Sequence, residues 1–218
     1  MRSALLLLAL ASPLAAQPQV NANRAVDFAF GNGDGATTLS AGVTRFTAMG
    51  KLTRIKAGVG LRGTLGTGTI GLTPQGASNV PASVKDTLRM SLAPISINIA
   101  AHIGVLITET LMAGFNIDVF GFTAGGTRSG IYTENQAAAG EGVHAKAAST
   151  NVFAGGSKDR GTLNSQFFAM WAFSDRYAIK GGLSHQRFEY VTETPLASNT
   201  KRFQMFSNLL FLGVQIVK

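Results

Sequence analysis

The chain has 218 residues with a formal charge of +8, is 45% hydrophobic, and holds 26 glycines and no cysteine. The missing cysteine excludes disulfides and a thiol-linked lipid anchor. The basic residues are dispersed singly with no aromatic-interleaved run, which is not the footprint of a nucleic-acid binder, so scattered solvation charge or anionic lipid headgroups are the expected neighbours.

Residues 1–16, MRSALLLLALASPLAA, place Arg2 ahead of an apolar run from Ala4 to Ala11 and end on Ala15-Ala16 before Gln17. That order has the form of a secretory signal peptide, and the run is too short for a spanning helix. Residues 17–23 read as a short polar leader, leaving 24–218 as one domain. Nowhere else do eighteen uncharged apolar residues follow one another, so a helical membrane protein is not expected.

From Ala25 to Phe30, Val26, Phe28 and Phe30 share one parity against Asp27, and the run stops at the turn GNGDG, 31–35. A second strand is expected over 37–48, with Leu39, Ala41 and Val43 opposite Ser40, Gly42 and Thr44. Its alternation weakens at Arg45-Phe46. In the third, Ile55, Ala57, Val59 and Leu61 alternate with Lys56, Gly58, Gly60 and Arg62. Residues 63–89 are rich in Gly, Thr, Pro and Ser and read as a long connection.

The segment Pro94 to Phe122 holds the period best. Ile95, Ile97, Ile99, Ala101, Ile103, Val105 and Ile107 face one way and Ser96, Asn98, Ala100, His102 and Gly104 the other. After Thr108-Glu109-Thr110, Leu111, Ala113, Phe115, Ile117 and Val119 resume the apolar parity against Gly114, Asn116 and Asp118. Soluble strands average about five or six residues, whereas a tilted membrane-crossing strand needs about nine to eleven. The hairpin is long enough to cross.

A second long connection, about 125–160, is mostly Gly, Ala, Ser, Thr and Asn and is expected to be exposed and largely irregular. Phe167, Ala169, Trp171 and Phe173 mark a sixth strand, Ser174-Asp175-Arg176 a tight turn, and Tyr177, Ile179, Gly181 and Leu183 a seventh. After a loop at 193–200, the last strand is expected over 202–217. Short connections at 49–52, 108–110 and 174–176 thus alternate with medium or long ones at 31–36, 63–89, 125–160 and 193–200.

The pattern predicts an all-β, eight-stranded, antiparallel up-and-down transmembrane β-barrel, with short turns on the periplasmic side and longer loops outside. Ile97, Ile99, Phe115, Ile117 and Val119 are expected to face lipid. On the inward parity Lys56, Asn98, His102, Asn116, Asp118 and Lys180 are expected to form a polar plug, with Asp118 reaching one or both lysines. Trp171, Phe173 and Tyr177 beside a short turn would form an aromatic girdle at the headgroups.

The pieces VLITETLMAGFNIDVFGF, AFSDRYAIKGGLSHQRF and FLGVQIV resemble the periplasmic hairpins and closing strand of small eight-stranded outer-membrane β-barrel proteins. The resemblance implies a bacterial outer-membrane location, outer-membrane lipids and lipopolysaccharide as neighbours, the barrel-assembly machinery as a partner in biogenesis, and a monomer with surface-exposed loops. Many relatives end in an aromatic residue that serves assembly, whereas this chain ends Val217-Lys218.

Some barrels of this kind modify lipid A, so nucleophiles need weighing. Ser184 and His185 are neighbours in a strand and point to opposite faces, so they cannot form a dyad, and Glu189 shares the parity of His185. Three scattered histidines, His102, His144 and His185, make no recognisable metal site, and no phosphate-binding or dinucleotide-binding motif is present. The expectation is a barrel without an open pore that anchors outer loops for structural or surface-binding roles, with no enzyme activity, cofactor or metal. A lipid A-modifying enzyme and a narrow solute channel are the alternatives.

Overall fold

The computed structural model describes residues 24–49, 52–74, 87–133, 140–195 and 201–217. The expected signal peptide and leader, 1–23, lie outside these residues.

Twelve strands are described: β1 (Arg24–Gly33), β2 (Ala36–Met49), β3 (Leu52–Pro74), β4 (Thr87–Leu92), β5 (Ile95–Leu106), β6 (Leu111–Ala124), β7 (Arg128–Thr133), β8 (Gly142–Ala147), β9 (Thr150–Val152), β10 (Leu163–Ala172), β11 (Tyr177–Thr192) and β12 (Arg202–Val217). The one helical element among the described residues is a short 3-10 turn, Gly156–Lys158. All strand pairings are antiparallel. The alternation of large apolar and small or polar residues specifies them, because a one-residue slip would turn every apolar side chain to the wrong face.

Followed from neighbour to neighbour, the pairings β1–β2–β3–β5–β6–β10–β11–β12 return to β1. These eight strands leave no unpaired edge among themselves. The hairpin between β1 and β2 turns on Asp34 and Gly35, both at positive φ (35° and 74°), a two-residue Asp-Gly turn whose twist matches the strands. The medium connection expected at 31–36 is therefore this tight turn.

The sequence reading of eight strands is corrected to twelve, and the extra four arise where irregular connections were expected. Strand β3 runs on through 63–74, and 87–92 forms β4, in which Leu88, Met90 and Leu92 are buried while Arg89 and Ser91 are exposed. Threonine is β-branched and suits a pleated surface, so the Thr-rich stretch extends once β2 and then β4 supply partners. Likewise the expectation of a largely irregular 125–160 is corrected for its described residues, which hold β7, β8 and β9, while 134–139 lie outside the described residues. In β8, Val143, Ala145 and Ala147 are buried and His144 and Lys146 exposed, an alternation carried by small residues.

These additions make a second circuit at one end of the first. The outer half of β3 pairs β4, β4 pairs β7, β7 pairs β8, β8 pairs β11, β11 pairs β12, and β12 returns to β3 at Phe203↔Pro74 and Gln204↔Thr73. Strands β3, β11 and β12 run through both circuits. The long strands are therefore long for two reasons, and the loop ends become a sheeted extension.

Candidate functional site: a filled interior

The inward side chains form three layers. At the short-turn end, Ala25, Ala29, Phe46, Met112, Phe168, Met170, Ala172, Ala178 and Phe211 pack into one apolar cluster. At the far end, Leu72, Leu88, Met90, Tyr132, Val143, Phe188, Tyr190 and Phe203 belong to another, enclosed by the second circuit. Between them lies a polar layer.

Its centre is Asp118, fully buried on β6. Arg62 on β3 reaches it with Nε donating to Oδ1 at 3.0 Å and Nη2 to the same oxygen, while Nη1 donates to Asn116 Oδ1 at 2.6 Å. The other carboxylate oxygen accepts from Asn98 Nδ2 at 2.8 Å and from the Asn164 backbone N–H at 2.9 Å. Asn151 Nδ2 donates to Asn98 Oδ1 (2.7 Å), Asn116 Nδ2 to Gln166 Oε1 (3.0 Å) and Ser184 Oγ to Asn164 Oδ1 (2.7 Å). A buried charge is tolerable when it is paired and its remaining lone pairs are satisfied, and Asp118 meets both conditions.

A bulge holds this carboxylate inward. Ile99 pairs with Phe120 and Ala100 with Asp118, so Val119 is the extra residue of β6. Val119 and Phe120 consequently both face outward, and the apolar parity beyond the bulge passes to Phe120 and Phe122.

Of the residues expected in the interior, Lys56, Asn98, His102, Asn116, Asp118 and Lys180 are all buried. The expected partner of Asp118 is corrected: it is Arg62, and not either lysine. The planar fork of Arg62 spans a carboxylate and an amide at once, which a single ammonium cannot do. Lys180 instead lies over the ring of Phe168, 4.6 Å from its centroid. His102 Nε2 is 3.4 Å from Thr44 Oγ1, and its ring meets Phe46 edge-on.

Arg62 shares the parity of Lys56, so its inward direction was readable although its role was not. Asn164 and Gln166 carried a similar signal, standing opposite Phe167 and Ala169 on β10. Asn151 carried none, since it lies in a three-residue strand inside an apparent loop.

On the outer surface Ile97 (61%), Ile99 (43%) and Val119 (39%) are exposed, while Phe115 and Ile117 are half-buried, Phe115 against Phe167 with ring centroids 4.8 Å apart. Phe28, Leu61, Leu183, Leu210 and Leu212 extend the same exposed apolar belt. Trp171, Phe173 and Tyr177 are exposed around the turn at 173–176, with successive ring centroids 6.4 and 6.3 Å apart.

The candidate nucleophile is placed apart from its candidate base. Ser184 is buried, whereas His185 is exposed, stacks on Phe206 and sits 2.8 Å from Asn208 Oδ1 through Nδ1. Glu189 is buried between Arg187 and Arg202. His144 lies beside Ser129, remote in register from both.

No family model matches the sequence, and no curated protein does. Among solved structures the chain is similar to Neisserial surface protein A (10% identity, 89% of this chain and 96% of that one, TM-score 0.39), to the Ralstonia pickettii toluene transporter TbuX (10%, 89% and 78%, 0.29), and to the monoaromatic hydrocarbon channel CymD (7%, 91% and 89%, 0.24). These neighbours are outer-membrane β-barrel proteins. The fold is defined by the chain's own strand pairings.

Proposed function

We propose that the chain is a bacterial outer-membrane β-barrel of eight spanning strands with a filled interior, which anchors a sheeted outer extension for a structural or surface-binding role. The observation that carries this reading is the eight-strand circuit with an apolar outer belt and the Arg62–Asp118 network between two apolar clusters inside. In water such a belt would be a large exposed apolar patch, whereas in a bilayer it is the expected surface. Eight strands enclose a space that side chains can fill.

The end bearing the 107–110 and 173–176 turns would be periplasmic and the second circuit external. The signal-peptide form of residues 1–16 supports export, and a closed ring needs no partner strand, which supports a monomer. Outer-membrane lipids, lipopolysaccharide and the assembly machinery would be its surroundings. The separation of Ser184 from His185 favours a non-enzymatic role over lipid A modification.

Refolded with phosphatidylcholine vesicles and spun through a density gradient, the protein is expected to float with the lipid and to resist extraction by high salt. Recovery of a folded chain in the lipid-free fraction would contradict the reading.

A further inference from the structure

Beside the second circuit, the outer ends of β6, β8, β9, β11 and β12 enclose a lateral cleft of about 470 Å³. Lys146, Arg160 and Arg202 line it, and among the described lining residues there is no carboxylate. The register places two of these cations: Lys146 pairs with Val191, and Val191 with Arg202, so the two flank one valine across three adjacent strands. Arg160 is fixed by its backbone, whose N–H donates to Val152 O at 2.9 Å while Val152 N–H donates to Arg160 O at 3.0 Å.

Behind the cleft, Glu189 accepts from Arg187 Nη2 (2.9 Å), from Arg202 Nη1 and from the Gly161 N–H (2.7 Å). One carboxylate thus holds Arg202 and pins the residue next to Arg160, but it is shared between two guanidiniums. Arg187 is 3% exposed, and its Nε and Nη1 have no hydrogen-bond partner among the described residues. Asp159 also bears on Arg187, so the four cations Lys146, Arg160, Arg187 and Arg202 stand against two carboxylates, Glu189 and Asp159, and the described site keeps a net positive charge.

Its height is set by the apolar belt. Ala124, in the wall, is two residues past the exposed Phe122, and Arg202 is four before the exposed Phe206. At roughly 3.3 Å per residue along strands tilted about 35 to 45°, the cleft stands about 5 to 11 Å beyond the belt, at headgroup depth.

Resting on the outer-membrane reading above, we propose that this cleft binds the phosphate of a phosphorylated lipid headgroup in the outer leaflet. A tetrahedral dianion can take charge-assisted hydrogen bonds from Lys146, Arg160 and Arg202 together, with geometry that guanidinium groups suit.

The test uses the full chain in detergent micelles and measures binding by native mass spectrometry, so that it does not depend on vesicle insertion. The probes are lipid A carrying both phosphates, the same lipid enzymatically dephosphorylated, and inorganic pyrophosphate. The wild type is expected to prefer the phosphorylated lipid, and Lys146→Gln with Arg160→Gln to lower that preference on the order of tenfold. Lys158→Gln, a nearby cation outside the cleft, is expected to leave it unchanged. Should the double variant fail to fold, Lys146→Glu alone, on an exposed side chain, is expected to lower the preference.

Equal binding of the two lipids, an equal loss in Lys158→Gln, or pyrophosphate binding as tightly as the lipid would each overturn the proposal. A phosphate preference in detergent from a protein that does not float with vesicles would count against the barrel reading and leave the cleft standing.

Discussion

Arg62 and Asp118 meet in the middle of the polar layer, one side chain from β3 and one from β6, with Asn98 of the intervening β5 donating to the same carboxylate. Three successive strands of the ring are thereby tied on the inside as well as by their backbones.

Removing one partner of such a pair leaves the other buried and uncompensated, which costs about 3 to 5 kcal/mol. Asp118→Ala is therefore expected to lower stability in lipid vesicles by about that much in urea titration, and Arg62→Met by a similar amount. The double replacement Arg62→Met with Asp118→Leu should recover part of the loss, because no charge is then stranded. A purely additive double variant would show that the two groups do not act as a pair.

The outer belt gives the opposite test. A cation at bilayer mid-depth costs about 2 to 4 kcal/mol on a lipid-facing position, so Ile99→Arg should destabilise the protein in vesicles by that order, while Ala100→Ser on the inward parity should cost much less. Comparable losses for the two would reverse the facing of β5.

Trp171 is the only tryptophan of the chain, which makes it a depth gauge. Exposed beside the 173–176 turn and close to Phe173, it would sit, in the proposed barrel, at an interface where an amphipathic ring meets the headgroups. In vesicles of brominated lipids its fluorescence is expected to be quenched most by bromines near the glycerol backbone and least by those near the chain ends. Strongest quenching from the chain ends would place this turn in the hydrocarbon.

Much of this arrangement was legible in the sequence, and the reason is the period. Ile95 to Ile107 and Leu111 to Val119 alternate so regularly that only one face of each strand can be apolar, and the same rule finds β1, β10 and the lower part of β11. It fails where both faces become buried. From Gln186 to Tyr190 every residue is buried, because the odd face is covered by the segment around Gly161 while the even face enters the second apolar cluster. In β8 the period is present but is carried by alanines, whose small apolar area gives a weak signal in a composition that otherwise reads as loop. The pairing of Asp118 depended on which inward cation lies within reach across neighbouring strands, and parity alone does not rank Arg62, Lys56 and Lys180.

The sheeted extension changes what a protease should find. The backbone around Lys146 is paired with β7 on one side and β11 on the other, whereas Lys158 lies exposed in the 3-10 turn. Limited trypsin treatment of the folded protein in vesicles should cut after Lys158 well before Lys146, because cleavage needs local opening of the backbone and paired strands open least. Early cleavage at Lys146 would mean that β8 is not held in the second circuit.

The central claim is that the interior is filled, with an apolar layer at each end of the Arg62–Asp118 network, and single-channel recording in a planar bilayer tests it most directly. With the purified wild-type protein inserted, no steady ion conductance above the bare bilayer is expected. Regular, long-lived open-channel steps from the wild type would contradict a filled interior and turn the reading to a pore.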